Sequence, residues 1–169
     1  MATTDNLIIL KNKYTLLFKD FYFRCCIGKN GLTLNKVEGD HKTPRGTYEL
    51  GDLFYRKDKI KKPQTDLLCR PIKPQMGWCN DINNLKNYNK LVNKKKITKS
   101  EKLFRKDYKY NYIIPINYNS PERIPKKGSA IFIHLTKKYR PTAGCIALNE
   151  KDLIILLKLI NKKTKIKIF

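Results

Sequence analysis

The chain has 169 residues, a length that favours one domain, and 41% of them are hydrophobic, enough for a packed core. Its longest apolar run, within residues 153–160, is broken by Lys158, which excludes the roughly 20 consecutive apolar residues of a membrane-crossing helix. The formal net charge is +23, yet only seven of the 37 basic residues are Arg and the Lys residues are spread along the whole chain, so the charge reads as drift toward Lys, Asn and Ile rather than as a built basic arm.

Residues 1–10 hold Asp5, no early Lys or Arg and a short apolar run over 7–10. A secretory signal opens basic and carries roughly 7–15 apolar residues, so none is expected here. Residues 7–11, 14–19 and 21–27 are short β-branched or aromatic segments split by polar residues and predict three strands. Gly28-Lys29-Asn30-Gly31 is a turn signal. The stretch Glu38-Gly39-Asp40-His41-Lys42-Thr43-Pro44-Arg45-Gly46 predicts a loop before a strand over 47–50. Residues 57–100 are polar and carry Pro63, Pro71 and Pro74; they predict a long loop-rich excursion with little regular structure, of the kind that is usually functional or mobile.

Strand character returns over 108–116 and 129–135. Ala130-Ile131-Phe132-Ile133 is apolar on both faces, the mark of a central, buried strand. Asn149 is a good N-cap, with Glu150 and Asp152 in the first turn. Leu153, Leu156, Leu157 and Ile160 follow at helical spacing. Residues 164–169 alternate Lys and Ile, a closing strand with one wet face. Many strands and one covering helix make the class mainly β or α+β, in a single domain over 1–169.

Five cysteines are an odd number, and neither C-x-x-C nor another zinc-ligand spacing is present. No metal or organic cofactor is expected. With Cys145 set aside, Cys25, Cys26, Cys69 and Cys79 either pair in an oxidising compartment or stay as buried free thiols.

The chemistry-bearing segment runs from Gly128-Ser129-Ala130-Ile131-Phe132-Ile133-His134 through a loop to Pro141-Thr142-Ala143-Gly144-Cys145. A His ends a buried strand and a Cys follows 11 residues later, straight after Gly. If the two strands lie side by side, thiol and imidazole come within hydrogen-bond reach. The thiolate is the nucleophile, and a neighbouring imidazole takes the thiol proton. The same ring later protonates a departing amine. Gly144 lets the backbone turn sharply, and amides near Gly144 and Cys145 are candidates for an oxyanion hole. A Cys in an apolar segment is also an ordinary core residue, and a His at a strand end an ordinary satisfied one; residue types leave both readings open.

Those residues, His134, Thr142, Gly144 and Cys145, resemble the signature of the YkuD-like L,D-transpeptidase catalytic domain. Asp40-His41-Lys42-Thr43-Pro44-Arg45-Gly46-Thr47-Tyr48 resembles the family's upstream loop. Gly77-Trp78-Cys79-Asn80-Asp81, Tyr88-Asn89, Ser100-Glu101, Asp107-Tyr108, Tyr118-Asn119 and the 128–134 segment resemble segments of a small-enzyme branch with a short His-to-Cys spacing. The resemblance implies a β-sandwich or open barrel with one C-terminal covering helix. It implies Cys145 as nucleophile and His134 as base, with Thr142, Ala143 and Gly144 shaping the catalytic loop. Trp78, Tyr118 and Arg140 are expected to meet substrate. Two positions depart from the pattern: Ala143 stands where many relatives have His, and Ala147 where many have Arg. The implied substrates are peptidoglycan stem peptides, the implied inhibitors carbapenems, and the implied compartment the cell envelope or periplasm. The chain is expected to act as a monomer. His41 is read as structural or surface. The rival reading is a basic polyanion- or nucleic-acid-binding domain without catalysis, with steeply salt-dependent binding, although no recognised nucleic-acid motif is present.

Overall fold

The computed structural model describes residues 6–169; residues 1–5, part of the stretch read above for a signal, lie outside the described residues. In chain order the strands are β1 (Leu7–Asn12), β2 (Thr15–Phe18), β3 (Phe21–Cys26), β4 (Leu32–Thr33), β5 (Thr43–Pro44), β6 (Gly46–Glu49), β7 (Leu53–Tyr55), β8 (Cys69–Pro71), β9 (Met76–Cys79), β10 (Leu91–Asn93), β11 (Ser100–Lys102), β12 (Tyr112–Pro115), β13 (Phe132–Leu135) and β14 (Ile146–Leu148). Helix α1 (Glu150–Leu159) follows, and β15 (Lys165–Ile168) closes the chain.

Ten strands form one sheet in the order β6-β15-β1-β2-β3-β14-β13-β12-β7-β8. Just past β6, Leu50 bridges Ile116, which lies just past β12. The Gly51 N–H donates to the Pro115 carbonyl and the Asn117 N–H to that of Glu49. The first edge strand is thereby drawn back toward the far side, and the sheet curls into an open half-barrel. Of the two expected forms, this is the open barrel. The three N-terminal strands fall where the sequence places them: β1 and β2 alternate, burying Ile8 and Leu10, and Leu16 and Phe18, while β3 buries Phe23, Cys25 and Cys26. The closing strand β15 alternates too, burying Ile166 and Ile168. Each such side chain contributes about 1.5–3 kcal/mol on burial.

The centre of the sheet is buried on both faces. Ile114, Ile133, Leu135, Ile146 and Leu148 point into the inner core, where α1 sets Leu153, Leu156 and Leu157. Asn149 caps that helix, its side-chain oxygen accepting the Asp152 N–H. The alternate residues Ile113, Phe132 and Cys145 point the other way, into a second apolar cluster with Phe54, Ile72, Leu103 and Tyr110.

The 57–100 excursion closes that second face and is more ordered than its composition predicts. β8 extends the main sheet parallel to β7, and β10-β9-β11 make a small antiparallel sheet of their own. These strands are three or four residues long, too short for a readable period. Exposed positions such as Arg70, Leu91, Asn93 and Lys102 face solvent, while Met76 and Trp78 pack against the second cluster. All five cysteines are free thiols. Among the described residues no helix is long and apolar enough to cross a membrane.

Candidate active site

β13 and β14 pair in parallel, with Ile133 opposite Ile146 and His134 opposite Ala147. Parallel neighbours oblige the chain to travel back from the end of one strand to the start of the next; residues 136–145 make that return. Cys145, one residue ahead of β14, therefore lies opposite Phe132 and not opposite His134. Side chains alternate along a strand, so Cys145, Phe132, His134 and Ala147 share the outer face. Strand rise and spacing put the Cα atoms of Cys145 and His134 about 8 Å apart, as diagonal neighbours.

The expected direct hydrogen bond between them is not formed among the described residues. The Cys145 thiol donates to the Ala130 carbonyl at 3.3 Å, and the Phe132 N–H donates to Sγ at 3.3 Å. Cys145 is 7% exposed, and burial pushes its thiol up to about 12, against the opposing pull of the Phe132 amide. Burial likewise drives His134 down to about 4; the Leu135 carbonyl opposes that shift, while the charges of Lys109 and Arg105 reinforce it. His134 Nδ1 stands 3.0 Å from that carbonyl. A carbonyl only accepts, so Nδ1 carries the proton and Nε2 keeps a free lone pair. This backbone oxygen orients the ring, and no side-chain pattern could reveal it.

The turn before Cys145 is braced from both sides. Thr142 Oγ1 donates to the Cys145 carbonyl at 2.6 Å and accepts the Gly144 N–H at 3.1 Å. Gly144 has φ 138°, and a Cβ there would lie 2.9 Å from the Lys42 carbonyl oxygen. Thr43 Oγ1 donates to the Gly144 carbonyl at 2.7 Å while accepting the Gly28 N–H at 2.9 Å. The 38–46 loop is fixed in turn by Asp40, which accepts from Lys36 Nζ, the Val37 N–H and the Lys42 N–H. Burial raises the Asp40 carboxyl, but these donors outweigh it and hold the group below its usual range. His41 is exposed, in the left-handed region at φ 57°.

A cavity of about 490 Å³ opens beside the imidazole, with His134, Tyr110, Arg140, Thr142, Ala143 and Ala147 among its walls. Cys145 is not one of its wall residues. Trp78 and Tyr118 are not there either; they line a second cavity of about 140 Å³ with Ile131 and Phe132. The Trp78 ring meets Phe132 edge-on at 5.3 Å, and the Tyr118 hydroxyl donates to the Lys127 carbonyl at 2.6 Å. The three expected substrate-contacting residues are therefore divided, Arg140 on one side of Phe132 and the other two on another. Among the described residues no group of three or more His, Cys, Asp or Glu side chains is placed to hold a metal ion.

One residue at the site escaped the sequence reading, and a second entered it only as part of a resembling segment. Tyr110, expected to lie within a strand, sits in the turn before β12 and places its ring edge-on to His134 at 5.3 Å and to Phe132 at 6.0 Å. Its hydroxyl donates to Glu101 at 2.9 Å. Buried Asn89 uses its whole amide. Oδ1 accepts from Trp78 Nε1 at 2.8 Å and from the Ala130 N–H at 3.1 Å, and Nδ2 donates to the carbonyls of Tyr118 and Asn119. It thus ties the excursion to Ala130, whose φ is 53° and whose carbonyl takes the Cys145 thiol. The resemblance of Tyr88-Asn89 to a family segment points at this residue, but its partners are not readable from an Asn- and Lys-rich stretch.

Residues 4–168 match the family described as YkuD, L,D-transpeptidase catalytic domain. No curated protein sequence matches the chain. Among solved structures it is similar to Bd1075 of Bdellovibrio bacteriovorus, at 16% identity and TM-score 0.50, over 98% of this chain and 48% of that one. It also matches an L,D-transpeptidase from Mycobacterium smegmatis, at 11% identity and TM-score 0.46, over 98% of this chain and 58% of that one. A third match is L,D-transpeptidase 1 of Mycobacterium tuberculosis, at 9% identity and TM-score 0.40, over 96% of this chain and 59% of that one. The chain thus spans about half the length of these proteins. With the match running over almost every residue, and with His134 on β13 and the Gly-Cys turn leading into the adjacent β14, the chain belongs to the YkuD family of L,D-transpeptidase catalytic domains.

Proposed function

We propose that the chain is a cysteine-dependent L,D-transpeptidase acting on peptidoglycan stem peptides, with Cys145 as nucleophile and His134 as base. The observation that carries this reading is the placement of the two side chains on one face of adjacent parallel strands, with Nδ1 of the imidazole already bonded to a carbonyl. Nε2 is then the atom left to receive a proton.

A thiol held near 12 beside an imidazole held near 4 does not form a stable thiolate–imidazolium pair. Both groups rest neutral, and the proton moves as the sulfur attacks. The thiol must first release the Ala130 carbonyl and turn toward the ring. Sγ then bonds to the carbonyl carbon of the diacid residue, and the thiol proton passes to Nε2. The Gly144 amide is engaged by Thr142, so the Cys145 amide is the donor this scheme assigns to the developing oxyanion; one such donor is worth roughly 2.7–4 kcal/mol. Collapse breaks the amide bond, and the departing D-Ala amine takes the proton from Nε2. The thioester is resolved by the side-chain amine of a second stem, giving a cross-link, or by water, giving a carboxypeptidase.

The test is release of D-Ala from a tetrapeptide stem. Cys145→Ala is expected to abolish it while leaving the melting temperature near that of the wild type, and His134→Ala to reduce it by roughly 10²–10⁴-fold. Release at the normal rate by Cys145→Ala overturns the assignment.

A further inference from the structure

The walls of the larger cavity come from two loops. Residues 101–110 contribute Arg105 and Lys109, and residues 136–143 contribute Lys137, Lys138 and Arg140; one acid, Glu101, faces them. That acid is already engaged, accepting from Tyr110 and lying 3.5 Å from Arg105, whose guanidinium is itself bound to Asp107 at 2.6 Å. Lys137 rests its ammonium 4.4 Å from the centre of the Tyr108 ring, which leaves its charge intact. Among the described residues Lys109, Lys137, Lys138 and Arg140 take part in no salt bridge. Four cations thus flank a slot on both sides, none of them held in a salt bridge, with Glu101 as the one acid among the described residues on its wall.

Unpaired like charges repel across such a slot, and an anion between them relieves that repulsion. A neutral ligand of the same shape gains nothing from them. The field already reaches the cavity wall, where Lys109 and Arg105 help to hold His134 neutral.

We propose that this cavity selects acyl donors by charge: it takes peptides whose groups flanking the reacting carbonyl are free carboxylates and discriminates against the same peptides capped there as carboxamides. This rests on the reading of the cavity as the donor site. The selectivity belongs to Lys109, Lys138 and Arg140, which lie on both loops and take part in no salt bridge among the described residues, so it does not depend on a charged residue at the position of Ala147.

The experiment uses Cys145→Ala protein, so that binding is read without turnover. It is titrated calorimetrically with a tetrapeptide stem bearing free carboxylates and with its carboxamide counterpart, at low salt and at 0.5 M NaCl. The carboxylate peptide is expected to bind about tenfold more tightly at low salt, each exposed pair adding a factor of a few. That advantage is expected to shrink several-fold at high salt. Adding Lys109→Ala, Lys138→Ala and Arg140→Ala is expected to bring the two peptides to equal affinity. Equal binding at low salt overturns the proposal, as does an advantage that survives the triple substitution. Wild-type turnover of both peptides is measured in parallel. Equal turnover of both overturns charge selection and leaves the transpeptidase reading standing. Preferential binding without any turnover upholds charge selection and overturns the donor-site reading. Neither binding nor turnover overturns both.

Discussion

Burial sets the protonation of both reacting groups, and His134 turns that into a stability signature. Its imidazole is driven from an ordinary value near 6.5 to about 4 in the folded chain. Between those values the unfolded chain binds a proton that the native state refuses. The stabilisation from keeping this ring neutral is therefore complete above pH 6.5 and is lost as pH falls toward 4, by about 3 kcal/mol at most. Urea titrations from pH 7.5 to 4.5 are expected to show this loss in the wild type and a shallower one in His134→Gln. Equal slopes contradict a buried neutral ring. The depressed value also means that His134 remains a base down to about pH 5, so D-Ala release is expected not to show a limb near 6.5 that belongs to this residue. Gly144 offers a second residue-scale test. Its φ of 138° and the nearby Lys42 carbonyl make Gly144→Ala strained and crowded. The expected loss is about 1–3 kcal/mol, read as a fall in Tm of roughly 2–4 °C per kcal/mol; an unchanged Tm contradicts it. Gly144 was readable from its type, which announces a sharp turn, whereas Thr142 and Thr43 were reached only through the resemblance of the segments that hold them. The sequence named Asn89 only within a resembling segment and did not single out Tyr110; the roles of both come from partners distant along the chain.

At the scale of elements, strands β1, β2 and β15 were readable because one face is wet, so burial alternates, and β3 because its aromatic residues are bounded by polar ones. β12, β13 and β14 are apolar on both faces, and periodicity says only that they are central. What the sequence could not supply is direction. Parallel pairing of β13 with β14 shifts Cys145 to the level of Phe132, and the sulfur finds its bonds at Ala130 and Phe132 instead of at His134. Nor was the cover over that sulfur readable, since its short strands are held by long-range pairs such as Asn89 with Ala130 and Trp78. Asn89→Ala leaves the Trp78 indole N–H and the Ala130 N–H without their acceptor. Each unsatisfied buried group costs about 1–3 kcal/mol. Trp78 is the chain's single Trp, so its emission reports the change directly. A red shift is expected, together with faster alkylation of Cys145 by iodoacetamide. Unchanged emission with unchanged alkylation contradicts a role for Asn89 in closing the site.

For the whole molecule, +23 carried on 169 residues strains the compact state by self-repulsion. Screening relieves it, so Tm is expected to rise between 10 and 200 mM NaCl; a flat or falling Tm contradicts this. The same charge draws the protein to anionic surfaces whatever its chemistry, which is why the polyanion-binding reading is decided by thiol chemistry and not by binding. Tight, salt-sensitive retention of DNA on a filter with an inert Cys145 is the outcome that favours it. The most direct measurement on the transpeptidase reading is intact-mass spectrometry of the wild type after incubation with a carbapenem or a tetrapeptide donor, followed by digestion to locate the adduct. One acyl group is expected, on Cys145, formed far more slowly in His134→Ala. An unmodified protein, or an adduct on Cys69, the half-exposed thiol, contradicts it.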